Sequence, residues 1–571
     1  MLGRREALIA AAGAALLAVV MHWPLPLHLT DTIPKDLGDP LPQSWQLAWG
    51  GHALTAQPLD FFQANQFWPE PDSLAFGDAL IGYAPAGLVG EGPVDAVARY
   101  NLVFLFAYAL SAFGAYALAR EMGIGPAGSA VAAAAFAYAP FRLEQDGHMQ
   151  VISSGGIPLA LALAVRGVRL QRPWPLFAAW AVAAWQISIG FAIGLPFAYL
   201  IALLVATCAV VWWRRGRPAI PRRILVAGAG GAAVFAVVIG LVALPYFRVA
   251  DAHPEATRPP STVEAFSGPA SALILSSDES FVWGDATSAI FDEIGNPAEK
   301  TLFPGLAILL LAIAGLASPA FPRWLRFGLG GAWVATMILA LGFQEDGGWL
   351  WPYRVVYDLL PGWEAIRTPG RLATFATLAA AMLAGMGAQA LVQRATPRTS
   401  RTEHPGGHSG TFGGRAGVVG AAVASVLVLA VVIEGRGLPF DPTGRQAQPE
   451  VPQAPASVAG VPAPQLHLPA ESPDDNRRYL LWSTDGFPDI VNGRASTIPD
   501  ESEELISGME SFPDAATVER LRDYGVRTVV LHTDRAPGTD QSAAAAAPVA
   551  GPGVTAERRG ELVLFDLGPA G

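Results

Sequence analysis

The sequence predicts an all-α polytopic membrane protein of about eleven spans, followed by a small extracytoplasmic α/β domain. Three observations predict it. Over 571 residues the side chains are 52% hydrophobic and only 15% charged, far more apolar than a soluble domain. Apolar runs of roughly 18 to 22 residues recur, a length that matches the hydrocarbon thickness of a bilayer. Arginines cluster between those runs, and alternate threading puts every cluster on one side.

Spans are expected at 6–23, 101–120, 127–139, 151–166, 174–190, 191–213, 224–244, 303–318, 327–342, 372–392 and 417–433. Arg4 and Arg5 precede the first, and residues 22–26 offer no small-residue cleavage site, so a retained first helix is expected. Residues 79–89 are apolar but too short to cross, and are expected to lie in the interface or to re-enter. The arginine clusters fall at Arg4/Arg5, Arg120, Arg166/Arg169/Arg172, Arg214–Arg223, Arg323/Arg326 and Arg394–Arg401. The positive-inside rule makes that side, with the N-terminus, cytoplasmic. Residues 24–100, 140–150, 246–302, 344–371 and everything after about 434 then face outward.

Residues 1–434 read as the membrane body, with a flexible Gly/His/Ser-rich cytoplasmic linker at 395–415. Residues 435–475, rich in Pro and Ala from 447 onward, read as an extended spacer. Residues 476–571 read as the outer α/β domain. Its strands are expected at 479–483, 527–532 and 561–566, its helices at 501–509 and 515–524, and a loose excursion at 540–552. A net charge of −11 with scattered arginines excludes a nucleic-acid partner. Cys208 is the one cysteine, which excludes disulfides within the chain and a cysteine metal site.

Candidate chemistry collects at the outer ends of the spans. The first outer loop carries Asp31, Asp36 and Asp39 just after the first helix, with Gly38 and Pro40 setting a tight turn around Asp39. A partly desolvated carboxylate suits the task of taking a proton from a hydroxyl, and Asp39, with Asp36 as its substitute, fits it. Asp39 is equally placed to cap a helix starting at Pro40. The band from Trp45 to Trp68 is aromatic and reads as interfacial anchoring, with His52 facing either the Asp39 surface or the core. In the second outer loop, Asp146 and His148 are two residues apart and can hold a divalent cation such as magnesium or manganese, or orient a phosphate; Asp146 can also cap the following helix. Arg367 and Arg371 break the positive-inside pattern at an outer helix end, as a phosphate clamp or as snorkelling side chains.

Asp39 with Trp45, Trp49, His52, Asn65, Pro69 and Asp78 resembles the first outer loop of bacterial membrane proteins of the GT-C glycosyltransferase architecture, including the YfhO-like group. The resemblance continues through residues 136–148, 366–371, Val491-Asn492-Gly493, Phe512-Pro513 and 525–532. It implies a polyprenyl-phosphate-linked sugar donor, a glycan, lipid or protein acceptor in the cell envelope, and a multi-pass protein among the lipids of the bacterial inner membrane. It gives Asp39 the role of base, and Asp146 with His148 a second acidic site holding a metal; in the combined reading Arg367 and Arg371 hold the donor phosphate. Neither loop carries two aspartates one residue apart, the usual metal-binding pattern. The rival expectation is a non-catalytic transporter, flippase or scaffold for lipid-linked glycans, which would place ionisable groups near the middle of the spans.

Overall fold

Helices form at every one of the eleven expected stretches in the computed structural model, which describes residues 2–256, 258–344, 351–396, 415–441, 443–458, 460–546 and 553–568. Six helices among the described residues are long and apolar enough to cross a membrane: Gly92–Glu121, Met149–Leu170, Phe191–Arg214, Arg222–Ala252, Pro369–Ala395 and Gly417–Gly435. The others are shorter; Pro126–Ala137 and Leu306–Ala317 have 12 residues each. At about 1.5 Å per residue such a helix covers roughly 18 Å, less than the hydrocarbon layer. Leu203, Val205, Val237, Leu241 and their neighbours on Phe191–Arg214 and Arg222–Ala252 are exposed. A helix that is apolar on its outward face needs lipid for solvent, so the chain is a multi-pass membrane protein.

The helix Ala373–Ala395 is the hub of this body, buried without a break from Ala373 to Ala388. Its small residues let neighbours approach to backbone contact. A Cβ on Gly387 would come within 2.0 Å of the Leu311 carbonyl oxygen, and one on Gly315 within 2.0 Å of that of Leu383. Leu306–Ala317 and the hub therefore touch through paired glycines, the packing that apolar helices use when lipid gives no hydrophobic drive. Arg371 stands just before the hub's first turn, so this packing fixes where it emerges.

The C-terminal region is an α/β unit, with corrections to the expected elements. Strands β1 (Gln465–Leu468), β2 (Thr528–His532), β3 (Thr555–Arg559) and β4 (Leu562–Asp566) form one sheet in the order β1-β2-β4-β3. β1 runs parallel to β2, and the other pairs are antiparallel. The expected strand at 479–483 is instead the end of the helix Pro473–Trp482. A short apolar run does not distinguish strand from helix, and Ser472, whose side chain accepts the Asp474 N–H ahead of Pro473, starts a helix there. Nor does the region 435–475 lead away as a spacer. Val451 donates to the Asp31 carbonyl (2.8 Å), while Ile33 and Lys35 donate to those of Pro449 (3.1 Å) and Ala447 (2.9 Å), and β1 itself lies within it. The expected linker after Thr396, and the end of the excursion from 547, lie outside the described residues.

Gly387→Ala is expected to lower stability by about 1–3 kcal/mol through overpacking against Leu311. Gly230→Ala, where nothing lies within 4 Å, should be neutral or mildly stabilising. Thermal unfolding in detergent checks both; equal melting of the two variants would show that the glycine contact does not hold the bundle.

Candidate functional site

The first outer loop is tied down on both sides before it reaches Asp39. Residues 31–35 pair with 447–451, and Lys35 then sends its ammonium between Glu144 (3.1 Å) and Glu279 (2.6 Å), each from a different outer loop. Asp36 is exposed, and its Oδ1 accepts the Gly38 N–H at 2.7 Å, which makes it a turn residue. Asp39 precedes Pro40, the first residue of the helix Pro40–Ala56, yet its side chain accepts no backbone N–H. The backbone there is already helical, with φ −59° and ψ −28°, so the carboxylate is not turned back over the first turn. The capping expectation for Asp39 is thereby corrected. Its side chain, 47% exposed, instead has Oδ2 3.6 Å from His148 Nε2.

Asp146 and His148 do not act as a pair. Asp146 is buried, and its carboxylate accepts from the Tyr108 hydroxyl and the Arg436 guanidinium. His148 turns the other way. Its Nδ1 lies 3.1 Å from Gln145 Oε1, and its Nε2 lies 3.6 Å from Asp39 and 3.7 Å from Glu299. A divalent cation does not fit between Asp146 and His148, because a guanidinium and a phenol already occupy the Asp146 oxygens. Nor does Asp146 cap the following helix. Among the described residues no group of three His, Cys, Asp or Glu side chains converges as a metal site.

Arg371 and Arg367 lie just before the same helix, Ala373–Ala395, but in different states. Arg371 forks onto Glu299, with Nε 3.2 Å from both oxygens and Nη2 2.5 Å from Oε1. Burial pushes the Glu299 carboxyl up, but Arg371 and His148 pull it back further, so it lies below the ordinary carboxylate range. Arg367 rests over the Phe266 ring at 4.8 Å and has no hydrogen-bond partner among the described residues. Both guanidiniums lie within electrostatic reach of Asp39. The two arginines of the expected clamp are thus unequal: Arg367 has its donors open among the described residues, whereas Arg371 is largely taken up by Glu299.

Asp78 and His52 serve the frame. Asp78 Oδ1 accepts the N–H groups of Phe191 (2.6 Å) and Ala192 (3.4 Å), capping the helix Phe191–Arg214. Burial raises its pKa despite Arg371 and those N–H groups. His52 lies thirteen positions along the helix from Asp39, roughly 20 Å at 1.5 Å per residue. Its ring packs at a tilt against Trp49 (5.2 Å) and Phe487 of the C-terminal region (4.5 Å), and burial lowers its pKa. Sequence reasoning missed Glu299, which no periodicity marks, and Lys35. Two cavities lie elsewhere. One of about 380 Å³ is lined by Trp23, Asp31, Phe440 and Glu450 among others, and one of about 200 Å³ lies beside His467 and Trp482.

A model of the family described as "Domain of unknown function (DUF6311)" matches residues 85–400, more than half of the chain. No curated protein matches. Among solved structures, an oligosaccharyltransferase from Archaeoglobus fulgidus, in complex with zinc and sulfate, is similar at 12% identity and a TM-score of 0.45, over 94% of this chain and 69% of that one.

Glu279 gives the outer loops a pH dependence. Burial pushes its carboxyl up to about 7 from 4.5, against the pull of Lys35, and the negative charges of Glu144 and Asp146 add to the rise. An acid with a raised folded pKa stabilises most at low pH, and its contribution is lost as pH rises from about 4.5 through about 7. Across that window, wild-type stability is expected to fall relative to Glu279→Gln. Unfolding midpoints taken at several pH values check it, and parallel curves for the two proteins would refute it.

Proposed function

The chain belongs to the DUF6311 family, and we propose that it is a GT-C-type glycosyltransferase. In this reading it moves a sugar from a polyprenyl-phosphate-linked donor to a glycan, lipid or protein acceptor on the outer face of the bacterial cell membrane. One observation carries the reading. At the helix start Pro40 and Pro42 carry no N–H, and those of Leu41 and Gln43 already donate to the Gly38 and Asp39 carbonyls, so the Asp39 carboxylate has no cap to make; it faces His148 instead, with Arg367 and Arg371 in electrostatic reach. A carboxylate kept open beside cationic groups at an outer helix end is what sugar transfer from a phosphate requires.

The acceptor oxygen bonds to the anomeric carbon as the bond from that carbon to the phosphate oxygen breaks. The acceptor's proton passes to Asp39, and the phosphate leaves with the electron pair. Arg367, with Arg371 beside it, offsets the charge that grows on the phosphate. Glu299 holds Arg371 by a forked pair of hydrogen bonds, and His148 borders both Glu299 and the Asp39 carboxylate. The step is not routed through a divalent cation. The rival reading as a flippase or scaffold draws on the buried group of Tyr108, Asp146 and Arg436, since transporters place ionisable side chains within their helical body.

Asp39→Asn decides between them. With the purified full-length chain and labelled polyprenyl-phosphate sugars, turnover is expected to fall about 10²- to 10⁴-fold while donor binding persists. Transfer that survives the substitution removes Asp39 as the base; glycan movement across vesicles without any transfer favours the flippase.

A further inference from the structure

A further arginine reaches the Asp39 cluster from the far end of the chain. The segment 490–497 of the C-terminal region is zipped onto the first outer loop. Ile490 donates to the Asn65 carbonyl (2.9 Å), Trp68 to that of Ile490 (3.0 Å), Phe67 to that of Asn492 (3.4 Å), and Thr497 to that of Phe76 (3.1 Å). Gly493 lies flat against Phe67, where a Cβ would come within 2.4 Å of the ring. Arg494 follows, its N–H donating to Gln66 Oε1 at 3.3 Å. Arg258, from the third outer loop, locks the segment's end through the Ser496 carbonyl (2.8 Å) and Thr497 Oγ1 (2.6 Å).

The Arg494 backbone is thus fixed on both sides, while its guanidinium is half-buried and has no hydrogen-bond or ion-pair partner among the described residues. Arg367 is in the same state apart from its contact with Phe266. Asn65, next to Gln66, accepts the Trp45 Nε1–H (2.9 Å) six residues on from Asp39, which brings Arg494 to this face. Arg494 adds to the positive charge around Arg367, both guanidiniums lie within electrostatic reach of Asp39, and Arg477 and Asp474 also act on Arg494. Burial, the larger effect in each case, lowers their proton affinity. Cations drawn partly out of water and left without acceptors are unfavourable unless an anion completes them. Each guanidinium offers five N–H donors in a planar fork, so together they exceed what the two oxygens of a carboxylate accept and suit the several oxygens of a phosphate or diphosphate.

We propose that Arg494 and Arg367 form a two-guanidinium site for a phosphate-class anion beside Asp39, so that the C-terminal region supplies part of the donor site. The class of the anion rests on the transferase reading; the arrival of Arg494 at this face rests on the docked segment. The anion is either the headgroup of a polyprenyl phosphate or a free phosphate or pyrophosphate, and the test separates these.

The full-length chain in nanodiscs is titrated with a polyprenyl phosphate and, separately, with inorganic pyrophosphate, as wild type, Arg494→Gln, Arg494→Lys and Arg367→Gln. Arg445→Gln, which breaks only the exposed contact with Asp285, is the control and should bind as wild type. Affinity for the bound probe is expected to fall at least about tenfold in both glutamine variants, and less in Arg494→Lys, which keeps the charge and loses the fork. Wild-type affinity in both Arg494 variants overturns the proposal, as does binding of neither probe to the wild-type chain. Should Arg494→Gln fail to fold, the lysine variant decides, and unchanged affinity in it is then the overturning result. Pyrophosphate binding that depends on Arg494, without binding of the lipid, keeps the anion pair and removes the lipid-linked donor. Loss of transfer in Asp39→Asn, with phosphate binding indifferent to Arg494, spares the base and removes the pair.

Discussion

Charge taken out of water has to be paired, and the face of this helical body that carries Asp39 is built on two such pairs. Glu299 is held by Arg371, just before the hub helix, and Asp146 by Arg436, just after the last long helix. All four side chains are less than a tenth exposed. A buried pair of this kind adds little net stability over an apolar substitute, but removing one partner strands a charge at about 3–5 kcal/mol. Its effect is therefore to allow one register. The second and third outer loops sit where the two helix ends allow, and His148, between Asp146 and Glu299, has its ring set beside Asp39 as a consequence.

The first outer loop is framed in the same way from sequences far away. Lys35 ties it to Glu144 and Glu279, the ladder with 447–451 ties it to the region after the last helix, and residues 65–76 carry the segment 490–497. Asp39 is thus a half-exposed side chain on a backbone that has little freedom. That combination suits a reacting group, because positioning is done by the frame and the carboxylate stays open to a partner. The region that composition marks as a spacer is part of this frame, since it returns to the membrane face before the sheet begins.

Residues were visible in the sequence where they were out of place. Asp39 is an acid beside an apolar helix, and Arg367 and Arg371 are cations that break the alternation of arginine clusters; the structure brings these three within electrostatic reach of one another. The pairing of Asp146 with His148 was suggested by a spacing of two, but a tight helical turn sends such side chains in different directions, one inward to Arg436 and one outward to Asp39. His52 shares a helix with Asp39, which sequence spacing shows, yet it faces Phe487 at the other end.

Taken alone, the sequence determined the helical membrane body: where the helices lie, that several are long enough to span a bilayer, and that a small α/β unit follows. Those features depend on the length and apolarity of contiguous stretches, which are local properties. The tertiary structure decided which charge meets which. Arg371 and Glu299 are 72 positions apart, Arg436 and Asp146 are 290 apart, and the Asn65 amide reaches Ser483 across 418. Within a window of twenty residues nothing specifies such partners; they follow from how helices packed through glycine bring distant loop ends to one face, where buried charges must then find each other.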